Sequence, residues 1–107
     1  MFLDDKLYNR VKEYDGAHSE DVQQLYKDLI RICEDHWRPF IAPDIPKKTM
    51  KNHWDRAFNS WDVFVQRLRD DGDATSKVWA DLFGEYTYKK VFFDDPTFAN
   101  MYKEIKE

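Results

Sequence analysis

Three side chains of this sequence have the chemistry to ligate a transition metal: Cys33, His36 and His53. Cys33 and His36 stand one helical turn apart, and with His53 they form a C-x2-H-x16-H set. A structural zinc site needs four ligands converging tetrahedrally, so Glu34, Asp35 or a water would have to complete this one. The structural reading weighs more: Cys33 packs as a small apolar residue and His36 lies at the rim of a core. No cofactor is therefore expected, and a small metal-dependent enzyme using these three residues stands only as an alternative.

Carboxylates are the next candidates. The run DDGD at 70–73 suggests a calcium loop. With Gly72 at the sixth loop position, however, Arg67 and Arg69 fall where oxygen ligands belong, and Val78 falls where the bidentate Glu belongs. The acidic pairs Asp70-Asp71 and Asp94-Asp95, with Asp73 close by, could imitate nucleic-acid phosphates in front of a basic groove. Each also falls at an expected helix end, where Asp caps backbone N–H groups. An acidic nucleic-acid mimic, or a nucleic-acid-associated protein that blocks a DNA- or RNA-binding partner, is accordingly the second functional reading.

Cations are fewer. Lys47, Lys48 and Lys51 open the expected third helix, where its dipole opposes them. An acidic partner, or Glu34 and Asp35, would offset that cost. Lys89-Lys90 adds a second basic pair. Direct nucleic-acid binding is nevertheless not expected, because the chain sums to −4 and no recognised binding motif is present. No nucleophile elbow, phosphate loop or paired His-Glu zinc motif occurs either, so no catalytic residue is assigned and the protein is not expected to be an enzyme.

The elements that would position these groups are helical. Leu3, Leu7, Tyr8, Val11 and Tyr14 predict a helix over 3–14, ended by Asp15-Gly16. A second helix over 20–37, with Ser19 as its N-cap, carries Val22, Leu25, Tyr26, Leu29, Ile32, Cys33 and His36 on one face. Arg38-Pro39 stops it, because proline disfavours helical geometry in the residue before it. Met50, Trp54, Ala57, Trp61, Phe64 and Leu68 mark a third helix over 50–69, with Thr49 as N-cap. A fourth helix, capped by Asp73 or Thr75, carries Val78, Trp79, Leu82 and Phe83 and breaks or bends at Gly84. Residues 85–93 predict a further helical turn or two, with a short strand as the other reading. Asp95-Pro96 reads as the N-cap and first residue of a last helix.

The expected architecture is all-α: a compact single-domain bundle of four to six helices over residues 1–107. Between the second and third helices lies WRPFIAPDIPKK, residues 37–48, with three prolines. Those prolines predict an extended strap over 38–48, with Phe40, Ile41 and Ile45 laid over the bundle or turned outward as a docking edge.

With 42% hydrophobic and 17% aromatic residues in 107, one real core is possible. A single cysteine allows no internal disulfide, so a reducing, cytoplasmic setting is expected. MFLDDKLYNR has no leader layout, and no apolar run is long enough for a membrane span. No family motif can be quoted. In style, a compact, acidic, aromatic-rich domain without catalytic signatures resembles small proteins of phages and other mobile elements, inhibitors of bacterial defence among them. The leading expectation is a non-enzymatic protein-binding module, a small inhibitor or accessory factor that acts on another protein. Its surface would combine Trp37, Arg38, Phe40, Ile41, Ile45, Lys47 and Lys48 with Tyr86, Tyr88 and Phe93. Self-association is left open.

Overall fold

A computed structural model of the chain describes residues 2–14 and 21–106. Among them are six α-helices and one 3-10 turn, and no strand. The helices are α1 (Leu3–Tyr14), α2 (Val22–Trp37), α3 (Lys47–Asp71), α4 (Ala74–Glu85), α5 (Tyr88–Asp94) and α6 (Pro96–Lys106). The 3-10 turn, Arg38–Phe40, follows α2 directly.

The helix boundaries follow from local chemistry. In α1, Leu3, Leu7, Val11 and Tyr14 are buried on one face, while Asp4 and Asp5 lie at the positive end of its dipole. The Asp21 carboxylate caps α2 by accepting from the Gln24 N–H at 3.3 Å. The expected N-cap Ser19 and the expected stop Asp15-Gly16 lie outside the described residues. Gly72 closes α3 with φ 74, a left-handed angle that glycine adopts without a Cβ clash. Asp73 then caps α4, accepting from the Ser76 N–H at 2.7 Å. Thr87 caps α5 through the Lys90 N–H, which makes 88–94 helical and removes the strand reading of this stretch. Asp95 accepts from the Thr97 N–H at 3.0 Å, with Pro96 in the first position of α6.

The connection between α2 and α3 departs from expectation. No extended strap spans 38–48. Pro39 sits early in the 3-10 turn, where a missing N–H costs nothing. The Ile45 N–H closes a further turn on the Ala42 carbonyl at 3.0 Å. Pro46 then serves as N-cap of α3, its carbonyl accepting from the Thr49 and Met50 N–H groups at 3.0 and 3.2 Å. The third helix therefore starts at Lys47 rather than at 50, and Thr49 lies within its first turn. Proline geometry began the helix without a capping side chain, and only the short stretch 41–46 is left as linker. Gly84 also departs from expectation, because α4 runs through it to Glu85. A Cβ at Gly84 would stand 3.0 Å from the Arg69 guanidinium, so glycine there leaves room for the α3 side chain.

Helix α3 is the spine, and every other α-helix packs on it. Its 25 residues make about 37 Å of helix at the standard rise, most of the molecule's 44 Å long dimension. Two aromatic groups line it. Trp61 and Phe64 of α3 meet Phe83 of α4, on which Trp79 stacks, and the Trp61 indole donates to the Phe83 carbonyl at 2.8 Å. Trp54 and Phe58 meet Trp37 of α2, Tyr88 and Phe92 of α5, and Tyr102 of α6. The Trp61–Tyr88 contact at 6.3 Å joins the two groups into one core. A polar corner fixes α1 against it. The Tyr8 hydroxyl donates to the Asp71 carboxylate at 2.8–2.9 Å, and the Lys12 ammonium reaches Asp71 at 3.0 Å and the buried Ser76 hydroxyl at 2.7 Å.

Candidate functional site

Helices α2 and α4 both lie on α3 without packing closely against each other, and an apolar trough runs between them. Along α4, Val78 and Leu82 stand four residues apart on one side of the helix, and Tyr86, its C-cap, follows four residues on with its N–H bonded to the Leu82 carbonyl. Val22 and Tyr26 likewise stand four residues apart on α2. The trough has two depressions. One, of 260 Å³, is lined by Val22, Gln23, Tyr26, Leu82, Phe83 and Tyr86. The other, of 340 Å³, is lined by Val22, Ala74, Thr75, Val78, Trp79 and Leu82. Val22 and Leu82 border both, so the two depressions adjoin across this pair.

Tyr26 forms the floor between the helices. Its ring stacks on Phe83 at 6.3 Å and meets Trp61 and Tyr86 edge-on, each at 6.1 Å. Burial, then the charge of Asp94, raises its hydroxyl pKa, so it stays protonated. Val78 is 65% exposed and Tyr86 48% exposed, the two largest exposures of bulky apolar side chains after Phe2 among the described residues. The lining contains no carboxylate, amine, imidazole or thiol. What this surface can do is bind apolar groups. Its only polar side-chain groups are amide, hydroxyl and indole, with none poised for proton transfer.

The residues singled out from sequence are distributed differently. Trp37 and Tyr88 come together, but inside the core, at 2% and 1% exposure. Arg38 is exposed and pairs with Glu34 at 2.9 Å. Phe40 is half-buried and stacks on the His53 ring at 3.6 Å. Ile41 is exposed, Ile45 is half-buried, and Lys47 and Lys48 are exposed in the first turn of α3. Phe93 is half-buried against Phe58 and Tyr102. Tyr86 alone of this set lines the trough.

The acidic residues are occupied locally. Asp71 serves Tyr8, Lys12 and Ser76, and Asp73 caps α4. Asp70 accepts from the Gln66 amide, and Asp95 caps α6. Asp94 is exposed at the end of α5.

The metal alternative is half assembled and no further. His36 and His53 do meet, with ring centroids 5.5 Å apart. Among the described residues, however, no group of three His, Cys, Asp or Glu side chains is placed to hold a metal ion. Cys33 is fully buried, and burial pushes its thiol well above the ordinary range, against the thiolate that zinc requires. Burial, then the neighbouring imidazole and the charges of Arg56 and Lys6, lowers the His36 pKa. Burial, then Arg56, lowers that of His53.

Sequence reasoning passed over Val22, Tyr26, Val78 and Leu82 as a surface. One signal was available. Val78, Trp79, Leu82, Phe83 and Tyr86 make an apolar stripe on α4 wider than one neighbouring helix covers. No described helix is long and apolar enough to cross a membrane. No known family model, curated protein or solved structure matches this chain.

Proposed function

We propose that this protein is a non-enzymatic binding module that seats the apolar face of a partner protein's amphipathic helix in the α2–α4 trough. An inhibitor or accessory factor would work in this way. The observation that carries the reading is the pair of adjoining, mainly apolar depressions with Val78 and Tyr86 exposed along them. Its flanks are helices and it offers no sheet edge, so the matching recognition mode is helix in groove. Val78, Leu82 and Tyr86 are spaced about 6 Å apart along α4. The two depressions therefore receive side chains one to two turns apart, the i and i+4 or i+7 anchors of a helix. Glu85 is exposed beside Tyr86, and Asp94 acts electrostatically on Tyr26. That end of the trough suits a partner helix with Lys or Arg beside its anchors.

Selection from a library of amphipathic helical peptides tests this, with binding sites mapped by amide chemical-shift changes. The expected result is perturbation at Val22, Val78, Leu82 and Tyr86, lost in Val78→Asp. Peptides that bind elsewhere, or that bind Val78→Asp equally well, overturn it. Dimerisation of the free protein that Val78→Asp abolishes would identify a second copy as the occupant instead.

A further inference from the structure

The connection between α2 and α3 is held down through two histidines. His36 of α2 and His53 of α3 meet with ring centroids 5.5 Å apart. Phe40, the last residue of the 3-10 turn, lies flat on the His53 ring at 3.6 Å, with 12° between the planes. His36 Nε2 and His53 Nδ1 are buried without a hydrogen-bond partner among the described residues. An imidazolium carries an N–H on both nitrogens, so a proton gained here leaves a charged donor buried and unpaired.

The surrounding charges oppose that proton too. Lys6 of α1 and Arg56 of α3 act on His36, and Arg56 acts on His53. Among the described residues no carboxylate acts on either ring. Glu34 is paired with Arg38 and Asp55 with Lys51, while Asp35 and Asp44 are exposed. Cys33 is buried as the neutral thiol. The Phe40 face attracts one imidazolium, yet the second proton meets the charge of the first.

What can yield is the connection itself. The Ile41 N–H bonds to the Arg38 carbonyl and the Ile45 N–H to the Ala42 carbonyl, each at 3.0 Å and each within a single turn. Pro39, Ile41, Pro43 and Asp44 are exposed, as is the Arg38 end of its pair with Glu34. A segment with so few buried apolar contacts opens at lower cost than the core. Lifting it uncovers the His53 ring and admits water beside His36.

We propose that protonation of the His36–His53 pair lifts the Arg38–Phe40 turn and the 41–46 linker off α3 and exposes Phe40, a pH-sensitive latch on the α2–α3 connection. The latch shares no residue with the α2–α4 trough, so the two readings stand or fall separately.

The test is an NMR titration of the intact protein from pH 7.5 to pH 5.5. It follows the imidazole Cε1–H shifts, the NOEs between the Phe40 and His53 rings, and the amide opening of Ile41 and Ile45 relative to an unstructured peptide. Opened imidazoles return towards their ordinary value of 6.5, so opening should rise at least about tenfold over this range, with the midpoint of the imidazole shifts. The Phe40–His53 NOEs should vanish with it, while the amides of buried Phe58 and Phe83 keep their protection. The variant His36→Met with His53→Phe should show no rise. Phe40–His53 NOEs that persist at pH 5.5 overturn the proposal. So does opening of Phe58 and Phe83 alongside Ile41, or an equal rise in the double variant. The wild-type readouts decide the outcome even where that variant does not fold.

Discussion

The indole N–H of Trp37 donates to the hydroxyl oxygen of Tyr88 at 2.6 Å, joining the end of α2 to the start of α5 across 51 residues. Both residues are almost fully buried, and burial keeps the Tyr88 hydroxyl protonated by raising its pKa. A buried donor of this kind costs more to orphan than its bond contributes in net terms. Tyr88→Phe leaves the indole N–H without its partner, and the expected loss is about 1–3 kcal/mol of folding stability. Trp37→Phe removes the donor and leaves a cavity, so it should cost at least as much. The double variant should lose less than the sum of the two, because the orphaned group disappears with its partner. Urea unfolding of the four proteins measures the coupling, and strict additivity would refute it.

The His36–His53 contact makes acid sensitivity a property of the α2–α3 interface. His36 Nε2 and His53 Nδ1 are buried without a hydrogen-bond partner among the described residues, and Phe40 covers the His53 ring. The charged groups that act on the pair are Arg56 of α3 and Lys6 of α1, both cationic. Both imidazoles thus titrate lower in the folded chain than in the unfolded one, where the ordinary value is 6.5. Below that pH the unfolded chain binds more protons, so stability falls as pH drops through 6.5 and levels off only below the folded-state values. Carboxylates such as Asp28, which Arg10 holds below the ordinary range, withdraw their contribution only in more acidic solution. Urea midpoints should therefore fall between pH 7.5 and pH 5. His36→Met with His53→Phe should flatten that slope, and an unchanged slope would count against the pair.

Two glycines predict opposite responses to alanine. Gly72 holds a left-handed angle with open space around its Cα, so Gly72→Ala meets backbone strain alone, at a cost of about 1 kcal/mol. Gly84 is an exposed helical residue whose new methyl group would press only on the tip of the flexible Arg69 side chain. Alanine there gains up to about 1 kcal/mol of helix propensity. Displacing the exposed Arg69–Asp81 pair offsets a few tenths of that. Thermal melts of the two variants should move in opposite directions.

Helix content was legible because it is written in local spacing. The apolar stripe from Met50 to Leu68 and the caps Asp73 and Asp95-Pro96 act within a few residues of themselves. The sequence therefore determined an all-α chain and the helix ends at Trp37, Asp73 and Asp95-Pro96. It misplaced the start of α3, because Pro46 caps by backbone geometry rather than by a recognisable side chain. That shift turned the expected strap into a 3-10 turn, a short linker and a first helical turn.

Only the tertiary structure decided which apolar faces are covered. Trp37 and Tyr88 carry polar tips that suit a surface as well as a core, and each is buried because the other arrives from 51 residues away. Val78 and Leu82 follow the same spacing as core residues, yet they border an open trough because α2 and α4 both pack on α3 and stand apart from each other. Periodicity records that a helix has an apolar side. Whether that side meets protein or solvent depends on partners distant in the chain, and no local pattern contains them.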